Sequence, residues 1–576
     1  NYWENSYTKY SNEIGLTSEG KYLNYNTDVV LDFPHKDSVL EGGMTKEEQG
    51  KKEIYYHNVL AKEEIDTLLS PKILTSIKKY DRNGAYDITQ FNDTDNLIIR
   101  GNNLIALYSL KERFENKVKL IYIDIPFNTG NDSFKYNDKF NHSTWLTFMK
   151  NRLEVAKKLL RRDGVIFVHC DDNEHGYLKV LSDEVFGRSN FVNSISILSS
   201  TPSGLKTAHR DKTIIKTKDH ILVYKMDELE VKPQYTETKK WDSHFNLYLD
   251  REKNIVKSLK DVLHEESIYT KETPINQYSL NDGKFVDFVY KNSDNIFQTG
   301  KSMPEDIREK SLKKENRDLP IKYNSGENIQ YAYNGRRMSF LSNSMNEVLV
   351  KNSKEKRISK LVCDFWDDID FNNSQNEGGV SFPAGKKPEK LLYRIIDMVT
   401  EENDIVLDFF LGSATTAAVA HKMNRQYIGV EQMDYVDKIA LKRMKSILDG
   451  EKSGISNAVN WDGGGSFVYA ELASLNERYV KDIQQASNEA ELEKVLSTMK
   501  ESAYLNFKVD LERVSSKDEG YHALSLEERK EVLIQVLDMN QLYLSYSEIE
   551  DEQYKIPQDV KAFNHSFYDK EGVKDE

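Results

Sequence analysis

DIVLDFFLGSATTAAVAHKMNRQYIGVE, Asp404 to Glu431, changes its hydrophobic rhythm twice. DIVLDF, Asp404 to Phe409, is short, apolar and bounded by acids, which predicts a buried strand. LGSATTAAVAHKM, Leu411 to Met423, opens on a glycine and continues rich in alanine, a turn leading into a helix. QYIGVE, Gln426 to Glu431, is a second strand. A glycine in such a turn lets a ligand approach the backbone, and the helix N-terminus offers free N–H groups. An acid about 20 residues further on, here Glu431, accepts hydrogen bonds from ribose hydroxyls. Strand, turn, helix, strand and acid predict a nucleoside-containing cofactor on a Rossmann-like sheet. The turn is not G-x-G-x-x-G, which disfavours a dinucleotide. No G-x-x-x-x-G-K-[ST] occurs, which excludes a P-loop ATPase. Alone, these residues would be read as an ordinary βαβ crossover with a small-residue turn.

Upstream, VKLIYI, Val118 to Ile123, is another apolar run, ending at Asp124-Ile125-Pro126-Phe127. In open α/β sheets ligands bind at the carboxyl ends of strands. There Asp124 and the Ile125 carbonyl can both accept from one exocyclic amine, Pro126 limits the turn, and Phe127 offers a face to a planar base. A turn with an N-capping aspartate is the plainer reading of the same four residues. After a polar loop, 128–141, come Trp145, Met149, Leu153, Ala156 and Leu160, the apolar face of a helix with Ser143 as its expected N-cap. Asp163-Gly164 is expected to break it before a further strand, VIFVHC, Val165 to Cys170. Strand, helix and strand again predict a parallel sheet.

Between the two blocks, 227–382, the pattern dissolves into polar, Tyr- and Asn-rich sequence, too long for one structureless loop. It is expected to be an irregular α+β domain inserted into the sheet domain. Leu391, Leu392, Ile395, Ile396 and Val399 then form a helix face, and Ser525 with Glu528 makes a capping box before EVLIQVLDM. The expected organisation is an N-terminal region, 1–90; the catalytic half of the sheet domain, 91–226; the insert, 227–382; the cofactor half, 383–472; and a helical C-terminal region, 473–576.

The 576 residues, 38% of them hydrophobic, with 24 Phe and 33 Tyr, suffice for several cores. No apolar run reaches the roughly 18–20 residues of a membrane span, and the opening NYWENSYTKY lacks the features of a secretory signal. Two distant cysteines, Cys170 and Cys363, exclude a disulfide scaffold and a four-cysteine zinc site, fit a reducing cytoplasm, and read as packing residues. The 80 Lys+Arg against 94 Asp+Glu give −14, which taken over the whole chain argues against nucleic-acid binding. Local balance differs: 201–225 has six basic residues against two acids, 351–360 five against one, and 541–576 four against nine. Such islands are ordinarily solvated faces.

DIPFNTG resembles motif IV of amino-group DNA methyltransferases, D-P-P-Y, and LDFFLGSATT resembles their S-adenosylmethionine motif I, D-x-F-x-G-S-G-T-T. Motif IV precedes motif I, the circularly permuted order of the β class. NLIIRGNNLIAL, GVIFVHCDDNE, KPEKLL and GGGSFVYAEL extend the likeness, with GLTSEGKYLNYN…VVLDFP and LDMNQLY near the ends. Over nearly all the chain except its middle, the sequence is similar to the Mod subunits of type III restriction–modification systems. Two positions depart: Ile125 replaces the first motif IV proline, and Ala414 the third motif I glycine. Ile125 keeps its carbonyl but loses rigidity. Ala414 is costly if that position needs φ > 0 and harmless if it lies within the helix.

The resemblance implies a Rossmann-like S-adenosylmethionine-dependent methyltransferase that methylates N6 of a flipped-out adenine. Asp124, Ile125, Pro126 and Phe127 would handle the base. Asp408, Phe410, Gly412, Ser413 and Thr415 would line the cofactor, Glu431 would take its ribose, and Lys387 and Pro388 its methionine end. The insert would recognise sequence, with Lys206, Arg210, Lys212, Lys351, Lys356 and Arg357 as candidate phosphate contacts. Double-stranded DNA, a second copy of the chain and a Res helicase–nuclease subunit are the implied partners; no metal is implied. An N4-cytosine methyltransferase is the nearest alternative, although those enzymes more often carry serine where this chain has Asp124. A DNA-binding or assembly subunit with weakened catalysis is motivated by Ile125 and Ala414. A nicotinamide oxidoreductase is disfavoured by the missing glycine fingerprint.

Overall fold

Eleven strands form one sheet, and all belong to the first of two compact units, 1–232 with 364–576. In chain order they are β1 Leu74–Asp81, β2 Gly84–Tyr86, β3 Leu97–Arg100, β4 Val118–Asp124, β5 Leu160–Cys170, β6 Phe191–Leu198, β7 Lys218–Lys225, β8 Phe365–Trp366, β9 Ile405–Asp408, β10 Gln426–Glu431 and β11 Phe467–Leu472. The helices of this unit that matter here are α1 Asn103–Phe114, α2 His142–Leu159, α3 His175–Phe186, α4 Glu389–Val399, α5 Thr415–Lys422, α6 Ala440–Leu448, α7 Glu477–Gln485, α8 Glu489–Ser502, α9 Leu526–Asp538 and α10 Gln558–Tyr568. The computed structural model describes chiefly residues 68–130, 138–202, 210–502 (save 301–302, 317, 327, 372–373 and 383–384), 524–538 and 543–569, with short strands between 8 and 56. Most of the 1–90 region, and Lys206, lie outside the described residues.

The sheet order is β8-β6-β7-β5-β4-β9-β10-β3-β11-β1-β2. Its centre, from β5 to β11, is parallel. β7 on one side and β1 on the other run antiparallel to their inner neighbours. Parallel strands must be covered on both faces, which is why β4 and β5 read as near-continuous apolar runs. Every β4 residue but Asp124 is buried. Leu120 pairs with Val406 and Ile121 with Leu407, so the two motif-bearing blocks meet as adjacent strands.

Two local expectations change. The helix begins at His142 after Asn141, so Ser143 lies in its first turn and donates its hydroxyl to Glu53 at 2.6 Å. The strand after it begins at Leu160, because Leu160 pairs with Val118 and a register irregularity absorbs the Asp163-Gly164 turn. The Ser525–Glu528 capping box is present: Ser525 N and Oγ donate to Glu528 Oε2 at 2.8 and 2.7 Å. α7, α8 and α9 bury Tyr479, Ile483, Leu492, Met499, Leu533 and Leu537 together. No described helix is long and apolar enough to cross a membrane.

The second unit, 233–363, contains a six-stranded antiparallel sheet, a three-stranded one and three short α-helices. Phe245, Leu259, Tyr278, Phe285 and Val289 lie in its core. It is shorter than the 227–382 segment suggested by texture. Phe365–Trp366 pair with β6, and Val380 and Phe382 pack against Ile439, all within the first unit. Cys170 is buried as expected, whereas Cys363 is exposed and is no packing residue.

Candidate active site

β4 continues through α2 to β5 on one side, and β9 through α5 to β10 on the other. The crevice at the carboxyl ends of β4 and β9 is therefore the topological switch point, where doubly wound sheets bind ligands. Asp124 ends β4 and Asp408 ends β9, so the structure brings motif IV and motif I together at one place.

The turn after β9 is tied down at each residue. Phe410 N donates to Asp408 Oδ1 at 3.0 Å and Thr416 Oγ1 to Oδ2 at 2.6 Å. Both oxygens of Asp408 thus fasten the turn. Burial pushes its carboxyl up to about 7 against those hydrogen bonds, with the charges of Asp124 and Glu431 adding to the rise. Phe410 packs 6.0 Å from the ring of Phe148. Gly412 has φ +55, and a Cβ there would meet only the Phe410 carbonyl at 3.8 Å, so the space over the turn is open. Ala414 has φ 60 and ψ 34, left-handed, immediately before α5. The third motif I position does require positive φ, and alanine holds it at a cost of about 1–2 kcal/mol.

Glu431, at the end of β10, accepts from Gly412 N at 2.8 Å and Tyr435 Oη at 3.2 Å through Oε2, and from Met433 N at 2.9 Å through Oε1. Gln432 N also donates to it, so four groups of the chain hold the carboxylate at the end of β10. Burial raises the pKa of Glu431. Ser413 Oγ lies 3.2 Å from Thr415 Oγ1, and both residues are buried. Thr415 accepts from Arg443 at 2.7 Å, which ties it to the interior. Arg443 also binds Glu389 Oε1 at 2.7 Å, and Lys422 binds Oε2 at 2.8 Å, all three fully buried. Removing one partner from such a network costs about 3–5 kcal/mol. The network fixes α4, and with it buried Pro388 and Lys387, against α5 and α6.

The turn after β4 is equally constrained. Ile125 N donates to the His169 carbonyl at 3.4 Å. Trp145 Nε1 donates to the Pro126 carbonyl at 2.9 Å. Asn128, at φ 57, donates its backbone N–H to Asp138 Oδ1 at 2.8 Å and Nδ2 to Glu174 at 2.7 Å, and accepts from Phe140 N at 2.7 Å. Asp124 Oδ2 accepts from Lys387 Nζ at 2.6 Å, whereas Oδ1 is buried without a protein partner. Among the described residues, no protein group donates to the Ile125 carbonyl. Phe127 packs 5.7 Å from the His169 ring, and Lys387 Nζ lies 5.0 Å over Phe127.

Sequence reasoning missed His169, Asp219 and Trp145 as parts of this site. His169 is fully buried between the Tyr122 hydroxyl, 2.9 Å from Nδ1, and Asp219, 3.5 Å from Nε2. Burial would raise the pKa of Asp219, but the neighbouring His169 imidazole and the charge of Lys387 bring it down to about 2. The available signal was a histidine at the end of an otherwise apolar strand, VIFVHC.

Arg210 and Lys212 are exposed in the segment entering β7. β7 runs antiparallel to β5, with His220 opposite Cys170, so that segment stands at the same sheet edge as motif IV. Lys351 and Lys356 are exposed in the second unit. Arg357 there is engaged with Glu355 and lies 3.9 Å from Glu237.

Residues 118–442 match a family model described as a DNA methylase, so the fold and its switch-point crevice are those of a DNA methylase. The chain is 38% identical to the probable type III restriction-modification enzyme HindVI Mod subunit of Haemophilus influenzae, over 98% of this chain and 88% of that one. It is 27% identical to the EcoPI Mod subunit of Escherichia phage P1, over 60% and 59%, and 26% identical to the EcoP15I Mod subunit of Escherichia coli, over 58% and 57%. The chain belongs to the Mod subunits of type III restriction–modification enzymes, and is a DNA methyltransferase.

Proposed function

We propose that the protein transfers methyl groups from S-adenosylmethionine to N6 of adenines flipped out of duplex DNA. Two open acceptors at the end of β4 carry this reading: Asp124 Oδ1, buried and unpartnered, and the Ile125 carbonyl. An exocyclic amine brings two N–H donors. Accepting both would draw its lone pair out of ring conjugation and aim it at an electrophile. Asp124, where N4-cytosine enzymes more often carry serine, favours adenine.

S-adenosylmethionine fits the residues after β9. Gly412 leaves open space over the turn, and Glu431 is held at the end of the next strand, where a ribose hydroxyl would meet its carboxylate. When bound, it supplies an electrophilic methyl group on a sulfonium sulfur, which leaves as a neutral thioether. The chain orients the amine and stabilises the positive charge that grows on its nitrogen. Asp124 Oδ1 holds the surplus N–H proton until water removes it.

The second unit would recognise the DNA sequence, and exposed Arg210 and Lys212 of the first unit and Lys351 and Lys356 of the second would contact phosphates. The protein would act in the cytoplasm as a homodimer and pair with a Res helicase–nuclease subunit. Transfer of labelled methyl to duplex DNA, followed by nucleoside analysis, tests the reading. N6-methyladenine is expected. N4-methylcytosine would overturn the adenine assignment, and no transfer by folded protein would overturn the reading as a whole.

A further inference from the structure

Lys387 belongs to both turns at once. Its ammonium group donates to Asp124 Oδ2 at 2.6 Å. Its carbonyl accepts from Thr415 Oγ1 at 3.3 Å, in the first turn of α5. Thr415 is held by Arg443, and Arg443 by Glu389, two residues beyond Lys387. The neighbouring Lys386 turns inward instead, donating to the carbonyls of Gln375 and Val380 at 3.2 and 2.6 Å. The Lys387 side chain is 12% exposed and that of Asp124 21%, so the pair is largely shielded from water. Asp219, on β7, also lies in the field of Lys387.

A carboxylate with two equivalent oxygens can rotate and present either one. Here Oδ2 is engaged and Oδ1 is left as the buried, unpartnered acceptor. We propose that Lys387 is a positioning residue for methyl transfer. It holds Asp124 Oδ2 so that only Oδ1 meets the target amine, and its carbonyl links that orientation to the turn after β9. The proposal rests on the methyltransferase reading above and gives Lys387 a role different from holding the methionine end of the cofactor. A positioning role predicts loss of turnover with little loss of cofactor affinity, whereas a cofactor-holding role predicts the reverse.

The full-length protein and its Lys387→Met and Lys387→Arg variants separate the two. Turnover is read as labelled methyl transferred to duplex DNA, and cofactor affinity by calorimetry with S-adenosylmethionine. Lys387→Met is expected to lower kcat about 100-fold, the scale of a misplaced reacting group. Its dissociation constant should stay within about threefold of wild type. Lys387→Arg, which restores a cation toward Asp124, should recover at least about a tenth of the wild-type kcat. If Lys387→Met does not melt cooperatively, Lys387→Gln, which removes the charge and whose two-methylene stem is too short to reach Asp124 as lysine does, carries the same test. Unchanged kcat, or cofactor affinity weakened tenfold or more with kcat kept, overturns the positioning role. No transfer by the wild-type protein itself indicts the methyltransferase reading instead.

Discussion

The indole Nε1 of Trp145 donates to the carbonyl of Pro126 at 2.9 Å, and the ring is fully buried. α2 thereby pins a turn that has isoleucine where the motif IV it resembles has proline. The stiffness lost within the turn at Ile125 is supplied from outside it. Trp145→Phe keeps most of the bulk but leaves the Pro126 carbonyl without its donor, a loss of about 1–3 kcal/mol in stability. Single-turnover methylation should slow about tenfold, with cofactor affinity unchanged. A rate equal to wild type would mean that Asn128 and its partners hold the turn by themselves.

Asp124→Ala should abolish methyl transfer and leave cofactor binding nearly intact. In the proposed mechanism the carboxylate orients the amine, while the cofactor would be held by residues of β9, β10 and the turn between them. Comparable turnover in the variant would remove Asp124 from the mechanism.

Ala414→Gly should stabilise the protein. Relief of left-handed strain gains about 1–2 kcal/mol, and the extra freedom of glycine in the unfolded chain returns about 0.4–1 of it. A net gain of up to about 1.6 kcal/mol, about 0.8 at mid-range, should appear as a higher denaturant midpoint at constant slope. A lower midpoint would show that the buried Ala414 methyl contributes more through packing than its backbone loses through strain.

Stability should depend on Asp408. Its folded carboxyl sits at about 7, whereas an unfolded one sits near ~3.9. Between those values the folded chain holds a proton that the unfolded chain has released. Stability from this group therefore falls as pH rises from about 4 to about 7, and is level above. The window spans at most roughly 4 kcal/mol. The difference in stability between wild type and Asp408→Asn should slope downward through that range. A flat difference from about pH 4 to 8 would mean that Asp408 titrates as an ordinary carboxyl.

Replacing residues 233–363 with the matching segment of a relative should change which DNA sequence is methylated and leave the chemistry alone. Side chains that read bases can vary without disturbing the sheet that holds the two turns. Long-read sequencing of DNA from cells expressing the chimera would report the modified sequence. An active chimera with the original specificity would move recognition to the sheet unit.

Strands and turns were legible where local periodicity and tertiary role agree. Val118–Asp124 and Gln426–Glu431 are buried on both faces and read as such. The Ser525 capping box is a contact within one helical turn. Ser143 misled because capping depends on where the backbone leaves the helix, and Asn141 already does so. The contact of Lys387 with Asp124 joins positions 263 apart in the chain, which no local pattern encodes. The same holds for His169 and Asp219, which meet only because β5 and β7 are neighbours.

The pairing of Leu120 with Val406 also bears on how this protein is made. β4 leaves the ribosome with β5 soon to follow on one edge, while the strand for its other edge comes about 290 residues later, roughly 15–60 s at ordinary synthesis rates. For that interval an apolar, doubly buried strand presents an open row of N–H and C=O groups, the template on which aggregation starts. The 233–363 unit, with its own core, is synthesised in the meantime. A permuted motif order thus defers completion of the catalytic crevice until synthesis of the cofactor half, and makes the nascent chain a client for whatever shields exposed strand edges in the cell.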